Sequence, residues 1–165
     1  MRFYRALVSF LIALPAFAAQ YETAIPGATI AAITSDRFGA VYVTGSTSSI
    51  SLPVTPNAPQ RYIRGVCGQS DAGPVPCTDA FVAKINPDGT FAYLTYLGGS
   101  GNDFGTSIAV DVDGSVVVAG STASADFPVT ASAAQASNRG PLGNGPAGDA
   151  FIARISRDGE RIAYA

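Results

Sequence analysis

The feature that most constrains this chain is that it repeats itself. Val41-Tyr42-Val43-Thr44-Gly45-Ser46-Thr47 recurs as Val116-Val117-Val118-Ala119-Gly120-Ser121-Thr122, 75 positions later. Leu52-Pro53-Val54-Thr55 recurs as Phe127-Pro128-Val129-Thr130 at the same offset. Asp79-Ala80-Phe81-Val82-Ala83-Lys84-Ile85 returns as Asp149-Ala150-Phe151-Ile152-Ala153-Arg154-Ile155, now 70 positions on. The turns Asn86-Pro87-Asp88-Gly89 and Ser156-Arg157-Asp158-Gly159 follow the two copies. Four landmarks in one order identify an internal duplication. The change of offset places the length difference in two loops, Thr55 to Asp79 and Thr130 to Asp149, since loops tolerate insertions and strands do not.

Each unit reads as a run of short strands. Asp79 to Ile85 puts Phe81, Ala83 and Ile85 on one face, and Asn86-Pro87-Asp88-Gly89 is a turn in which Pro fixes φ and Gly accepts positive φ. Phe91 to Leu97 is a second strand, Gly98 to Gly105 a Gly-rich bend, Thr106 to Val112 a third strand and Ser115 to Gly120 a fourth. Val116 to Ala119 is apolar in succession, which suits a strand covered on both faces. Gly and β-branched residues interrupt every helical window. Four antiparallel strands per repeat describe a β-propeller blade; a generic sandwich shares the short strands but not the internal period. The expected fold is all-β, with propeller-type blades of four antiparallel strands, incomplete at about two blades' worth. A partial repeat spans 30–78, a full one 79–130 and a partial one 149–165. The last copy ends inside its second strand, so the expectation is a fragment, or a protomer needing further blades of a longer chain or an oligomer to close its sheets.

The ordered motifs Asp79-Ala-Phe-Val-Ala-Lys-Ile, Tyr96-Leu97-Gly98-Gly99-Ser100-Gly101-Asn102-Asp103, Ile108-Ala109-Val110-Asp111 and Val118-Ala119-Gly120-Ser121-Thr122 resemble the SBBP (seven-bladed β-propeller) repeats of exported bacterial proteins. The resemblance implies a propeller fold and export. It implies no defined reaction and no catalytic residues.

Arg2 and Arg5 precede an apolar run from Ala6 to Leu14, and Pro15 and Ala16-Phe17-Ala18 follow. That is the pattern of a secretory signal peptide over 1–18, with a lead-in over 19–29. The run is shorter than the roughly 20 apolar residues that span a membrane. No membrane span is expected after cleavage, and a secreted, periplasmic or cell-surface location is. The formal charge is −2 with the leader's two arginines, so the exported chain is mildly acidic. This argues against a nucleic-acid partner, whose affinity comes largely from a basic surface.

Cys67 and Cys77 are the only cysteines, and export makes a disulfide the expected state, stapling a Gly/Pro-rich loop. Calcium is the one cofactor weighed. Gly98-Gly99-Ser100-Gly101-Asn102-Asp103 opens like the calcium nonapeptide, with Asp103 as ligand, but occurs once and has Gly105 at the eighth position. Asp111-Val112-Asp113-Gly114 resembles an EF-hand start but has Gly120 where the Glu belongs. Turns are therefore preferred for both, with Asp103, Asp111 and Asp113 as the calcium candidates. Asp79, Asp103, Asp126 and Asp149 would be the carboxylates of an acid–base pair, yet Asp79 and Asp149 are equivalent copies, which favours structural roles. No histidine is present to activate a serine.

Tyr42, Tyr93 and Tyr96 fall within strands and are assigned to packing. Tyr62 lies between Arg61 and Arg64 in the first long loop. Arg61, Tyr62 and Arg64 form the candidate binding loop, together with the counterpart from Ala131 to Gly148, whose Asn138 to Pro146 stretch reads as flexible. The resulting expectation is a non-enzymatic scaffold for adhesion or for binding extracellular protein or carbohydrate. Two alternatives remain open: a fragment of a propeller enzyme acting on extracellular polysaccharide, and a truncated non-functional fragment.

Overall fold

The computed structural model describes residues 24–138 and 148–165. The signal-peptide segment, part of the lead-in and most of the Asn138 to Pro146 stretch lie outside the described residues. The described residues hold strands and turns and no helix. In chain order the strands are β1 (Ala28–Ser35), β2 (Val41–Thr47), β3 (Val66–Ser70), β4 (Gly73–Pro76), β5 (Asp79–Ile85), β6 (Phe91–Leu97), β7 (Asp103–Val110), β8 (Val116–Thr122), β9 (Asp149–Ile155) and β10 (Ile162–Tyr164).

Two four-stranded antiparallel sheets result, in the orders β1-β2-β5-β6 and β7-β8-β9-β10, each a propeller-type blade. The short hairpin β3-β4 is inserted in the first blade's long loop. One expectation from the sequence is corrected here. Asp79 to Gly120 does contain four strands, but they do not form one sheet: β5 and β6 finish the first blade, while β7 and β8 begin the second. A self-comparison yields the length of a repeat and not its phase. The phase is set at the bend after Leu97, where the chain leaves the first sheet instead of turning back along it. The third strand also starts earlier than the pattern suggested, because Asp103 N–H donates to the Thr78 carbonyl at 2.6 Å.

The four hairpin turns within the blades are built alike. Gly39, Gly89, Gly114 and Gly159 each have φ between 75° and 85°, and each donates its N–H to the carbonyl three residues earlier. Only glycine adopts that conformation without strain, which is why Asp-Gly or Phe-Gly closes every turn.

The blades are joined by an apolar interface. Tyr42, Ala80, Val82, Tyr93 and Leu97 of the first pack against Val116, Val118, Phe151, Ala153 and Ile155 of the second, with Phe127 from the second blade's loop between them. A second cluster, containing Val43, Phe81, Leu94 and Tyr96, fills the other face of the first blade beneath Leu52, Val54 and Ile63 of its own long loop. Successive β5 residues thus point into different cores, so all of Asp79 to Ala83 is buried. This accounts for apolar runs without alternation.

Candidate functional site

The densest polar cluster sits where the chain crosses between blades, at the bend Gly98–Asn102. The N–H groups of Gly98 to Gly101 are each aimed at a side-chain oxygen. Gly98 N–H donates to Gln60 Oε1 (2.9 Å), Gly99 N–H to Asp103 Oδ2 (2.7 Å), Ser100 N–H to Asp126 Oδ1 (2.7 Å) and Gly101 N–H to Ser124 Oγ (2.8 Å). Ser100 Oγ adds a second bond to Asp126 Oδ1, and Ser124 Oγ donates to Asp103 Oδ2, each at 2.7 Å. A Cβ at Gly98 would lie 2.6 Å from Asp103 Oδ2 and 2.7 Å from Asp79 Cγ, so glycine is required by close approach.

Asp79 and Asp103 are both fully buried. Asp79 Oδ2 accepts from Gln60 Nε2 (2.7 Å) and from Arg64 N–H (3.2 Å). The Oδ1 of each aspartate has no hydrogen-bond partner among the described residues. Burial, joined by the nearby Asp103 charge, pushes the Asp79 carboxyl up to about 8 against the bonds from Arg64 N–H and Gln60. Burial raises Asp103 as well, against the bonds it accepts from Gly99 and Ser124. Asp126, by contrast, is held below the usual carboxylate range by the Ser100 hydroxyl and N–H. In this latch, burial shifts two carboxyls toward the neutral form, and the Ser100 bonds shift the third toward the ionised form.

The structure gathers Asp79, Asp103 and Asp126 of the four carboxylates weighed above, and leaves Asp149 in the second blade, where Gln135 Nε2 donates to its Oδ2. The calcium candidates separate. Asp103 belongs to the latch, while Asp111 and Asp113 flank the Arg154 guanidinium at 2.8 and 2.9 Å. Asp111 to Gly114 is a hairpin turn, with Gly114 N–H on the Asp111 carbonyl at 2.9 Å. Among the described residues no group of three or more His, Cys, Asp or Glu is placed to hold a metal ion, and no helix is long and apolar enough to cross a membrane.

Cys67 and Cys77 form a disulfide across the foot of the β3-β4 hairpin, with Cα atoms 4.7 Å apart. The segment from Tyr62 to Cys77 presents Tyr62, Val66 and Val75 to solvent, Tyr62 being 73 % exposed. The Arg61 guanidinium carbon lies 6.0 Å from the Tyr62 ring centre. Arg61 and Tyr62 project outward together, whereas Arg64 turns its backbone N–H and its charge toward the latch. Tyr42, Tyr93 and Tyr96 are buried in the blades.

Sequence reasoning missed Gln60 and Ser124. Gln60 donates to Asp79, accepts from Gly98 and receives the Tyr96 N–H on its carbonyl at 3.2 Å. The signal was present: Thr55-x-x-Ala58-x-Gln60 recurs as Thr130-x-x-Ala133-x-Gln135 at the same 75-residue offset, so the duplication extends further into the loops than its more obvious landmarks.

A family model described as the SBBP β-propeller repeat matches residues 92–128. The matched stretch runs from β6 through the bend and β7 to the loop after β8. The matched unit crosses the seam between the blades and has the latch bend near its start. No curated protein matches the chain.

Proposed function

We propose that the chain is a non-catalytic, exported scaffold of stacked propeller blades, whose stapled loop binds extracellular protein or carbohydrate. The observation that carries this reading is the loop from Arg61 to Cys77. It holds exposed Arg61 and Tyr62 just ahead of a disulfide-closed hairpin that exposes Val66 and Val75. An aromatic ring with a cationic neighbour offers a large contact area at low cost in conformational freedom. The disulfide supports an oxidising, extracytoplasmic location. The buried carboxylates support a scaffold over an enzyme, since one oxygen of Asp79 is held by Gln60 and Arg64 and one of Asp103 by Gly99 and Ser124, tying loop to bend.

The test is a panel of glycans and extracellular-matrix peptides screened against the chain and an Arg61→Ala/Tyr62→Ala variant. Binding by the parent that the variant loses, with an unchanged unfolding midpoint, supports the reading. Equal binding by both removes the loop from it.

A further inference from the structure

At the end of the blades away from the latch, the hairpin turns enclose a groove of about 680 Å³. Its walls come from the β1-β2 and β5-β6 turns of the first blade and the β7-β8 and β9-β10 turns of the second. The groove therefore lies on the seam between the blades. Lys84 of β5 lines it, roughly 17 Å along the strand from Asp79 and so at the far end from the stapled loop.

The acids and bases of the lining are placed differently. Asp36 Oδ1 accepts the Phe38 and Ala40 N–H groups at 2.8 and 3.0 Å, and its Oδ2 accepts the Tyr42 hydroxyl at 3.0 Å. Asp111 and Asp113 share the Arg154 guanidinium, and Asp113 Oδ1 also accepts the Ser115 N–H and hydroxyl. Arg37, Lys84 and Arg157, by contrast, have no carboxylate partner among the described residues. Each is positioned by other contacts. The Arg37 guanidinium carbon lies 4.7 Å from the Phe38 ring centre, and Lys84 Nζ lies 5.2 Å from that of Tyr42. Arg157 runs close along Gly114, where an added Cβ would lie 3.1 Å from its Cγ. With Arg154 included, four bases stand against three acids, a local positive excess in a chain that is acidic as a whole.

This mixture selects a ligand chemistry. A bare inorganic anion would meet the three uncommitted bases, but also the exposed oxygens of Asp111 and Asp113. A carboxylate has about four acceptor sites, so those oxygens still call for donors. Phe38, 70 % exposed, adds an aromatic surface. We propose that the groove is a binding site for an acidic saccharide, a uronic-acid unit whose carboxylate meets Lys84 and Arg157. Its hydroxyls donate to Asp111 and Asp113, and its apolar face lies on the Phe38 ring. An acidic peptide supplies carboxylates without the hydroxyls and matches only half of the lining. The site is separate from the stapled loop and does not rest on that loop's role.

The experiment is calorimetric titration of the purified chain with trimers of galacturonic, mannuronic and guluronic acid. Saturable binding of at least one trimer is expected, weakening as salt is added. Its methyl ester keeps the ring hydroxyls and loses the charge, and should bind at least about tenfold more weakly, as should a pentaglutamate peptide. A Lys84→Gln/Arg157→Gln chain should lose affinity by a similar factor. Because Lys84 lies over a core tyrosine, Arg157→Gln alone, at an exposed side chain, is the second variant, and it should weaken binding with an unchanged unfolding midpoint. No saturable binding of any trimer, equal binding of the ester, or binding unaffected by both variants would overturn the proposal. Pentaglutamate bound as tightly as the best trimer would overturn it in favour of an acidic peptide. The Arg61→Ala/Tyr62→Ala chain should bind the trimer as the parent does, so failure here and failure of the proposed function are distinguishable.

Discussion

Gln60 and Asp79 are joined by a 2.7 Å hydrogen bond beneath the Gly98 bend, and Gln135 and Asp149 repeat that pairing in the second blade. The first pair is buried under β6, while Gln135 is exposed and Asp149 half-buried. The same pairing thus recurs in a more buried and a less buried setting.

The Asp79 carboxyl sets a pH dependence of stability. Its folded-state value of about 8 lies above the ordinary 3.8, so between those limits the folded chain holds a proton that the unfolded chain has released. Stability from this group is complete below about pH 4 and is lost as pH rises toward 8. Asp103, also raised, acts in the same direction. Melting temperatures by circular dichroism should fall from pH 5 to pH 9, on the order of the window just described. In Asp79→Asn that fall should be clearly smaller; an unchanged slope would place the proton elsewhere.

Gly98→Ala should destabilise the chain by about 1–3 kcal/mol, because the methyl group enters the space between Asp79 and Asp103 and the bend must shift. The comparison is Gly68→Ala on the hairpin, where an added Cβ meets Val75 at an ordinary 3.6 Å. Denaturant titration should show a shifted midpoint for the first and little change for the second.

Reducing the Cys67–Cys77 bond, or replacing both cysteines by serine, should cost about 2–3 kcal/mol from loop entropy regained by the unfolded chain. The far-ultraviolet spectrum should persist, since neither cysteine lies in a blade strand. Loss of the β signal on reduction would show that the hairpin holds the blade together.

Calcium should leave the melting temperature unchanged at millimolar concentration. The Asp111 and Asp113 carboxylates already flank Arg154, and one oxygen of Asp103 is held by Gly99 and Ser124. Thermal unfolding with calcium and with chelator checks this directly; a reproducible rise with calcium would assign the orphaned Asp79 and Asp103 oxygens to a cation.

Much of this fold was legible in the residues. The Asp-Gly turns, the Val116 to Ala119 run and the duplicated Asp79 and Asp149 strands gave the blade strands and the blade architecture, but not the β3-β4 hairpin, which falls in a segment that reads as loop. The blade boundary was not legible, because a cyclic repeat looks the same wherever it is cut. Only the long-range bonds of Asp103 to Thr78 and of Gly101 to Ser124 fix where one sheet ends. The latch was half legible. The Gly98 to Asp103 motif announced a special bend, but its acceptors come from Gln60, Ser124 and Asp126, which lie 23 to 38 residues away in sequence. No local pattern records such a contact.

The central claim is that the chain leaves the first sheet after Leu97, so that β5 and β6 finish one blade and β7 and β8 begin the next. Amide hydrogen exchange resolved over 79–85 and 116–122 tests this most directly. The account predicts strong protection in both segments, since β5 and β8 are each paired on both edges within separate sheets. Exchange at least about tenfold faster in one segment than in the other would contradict it.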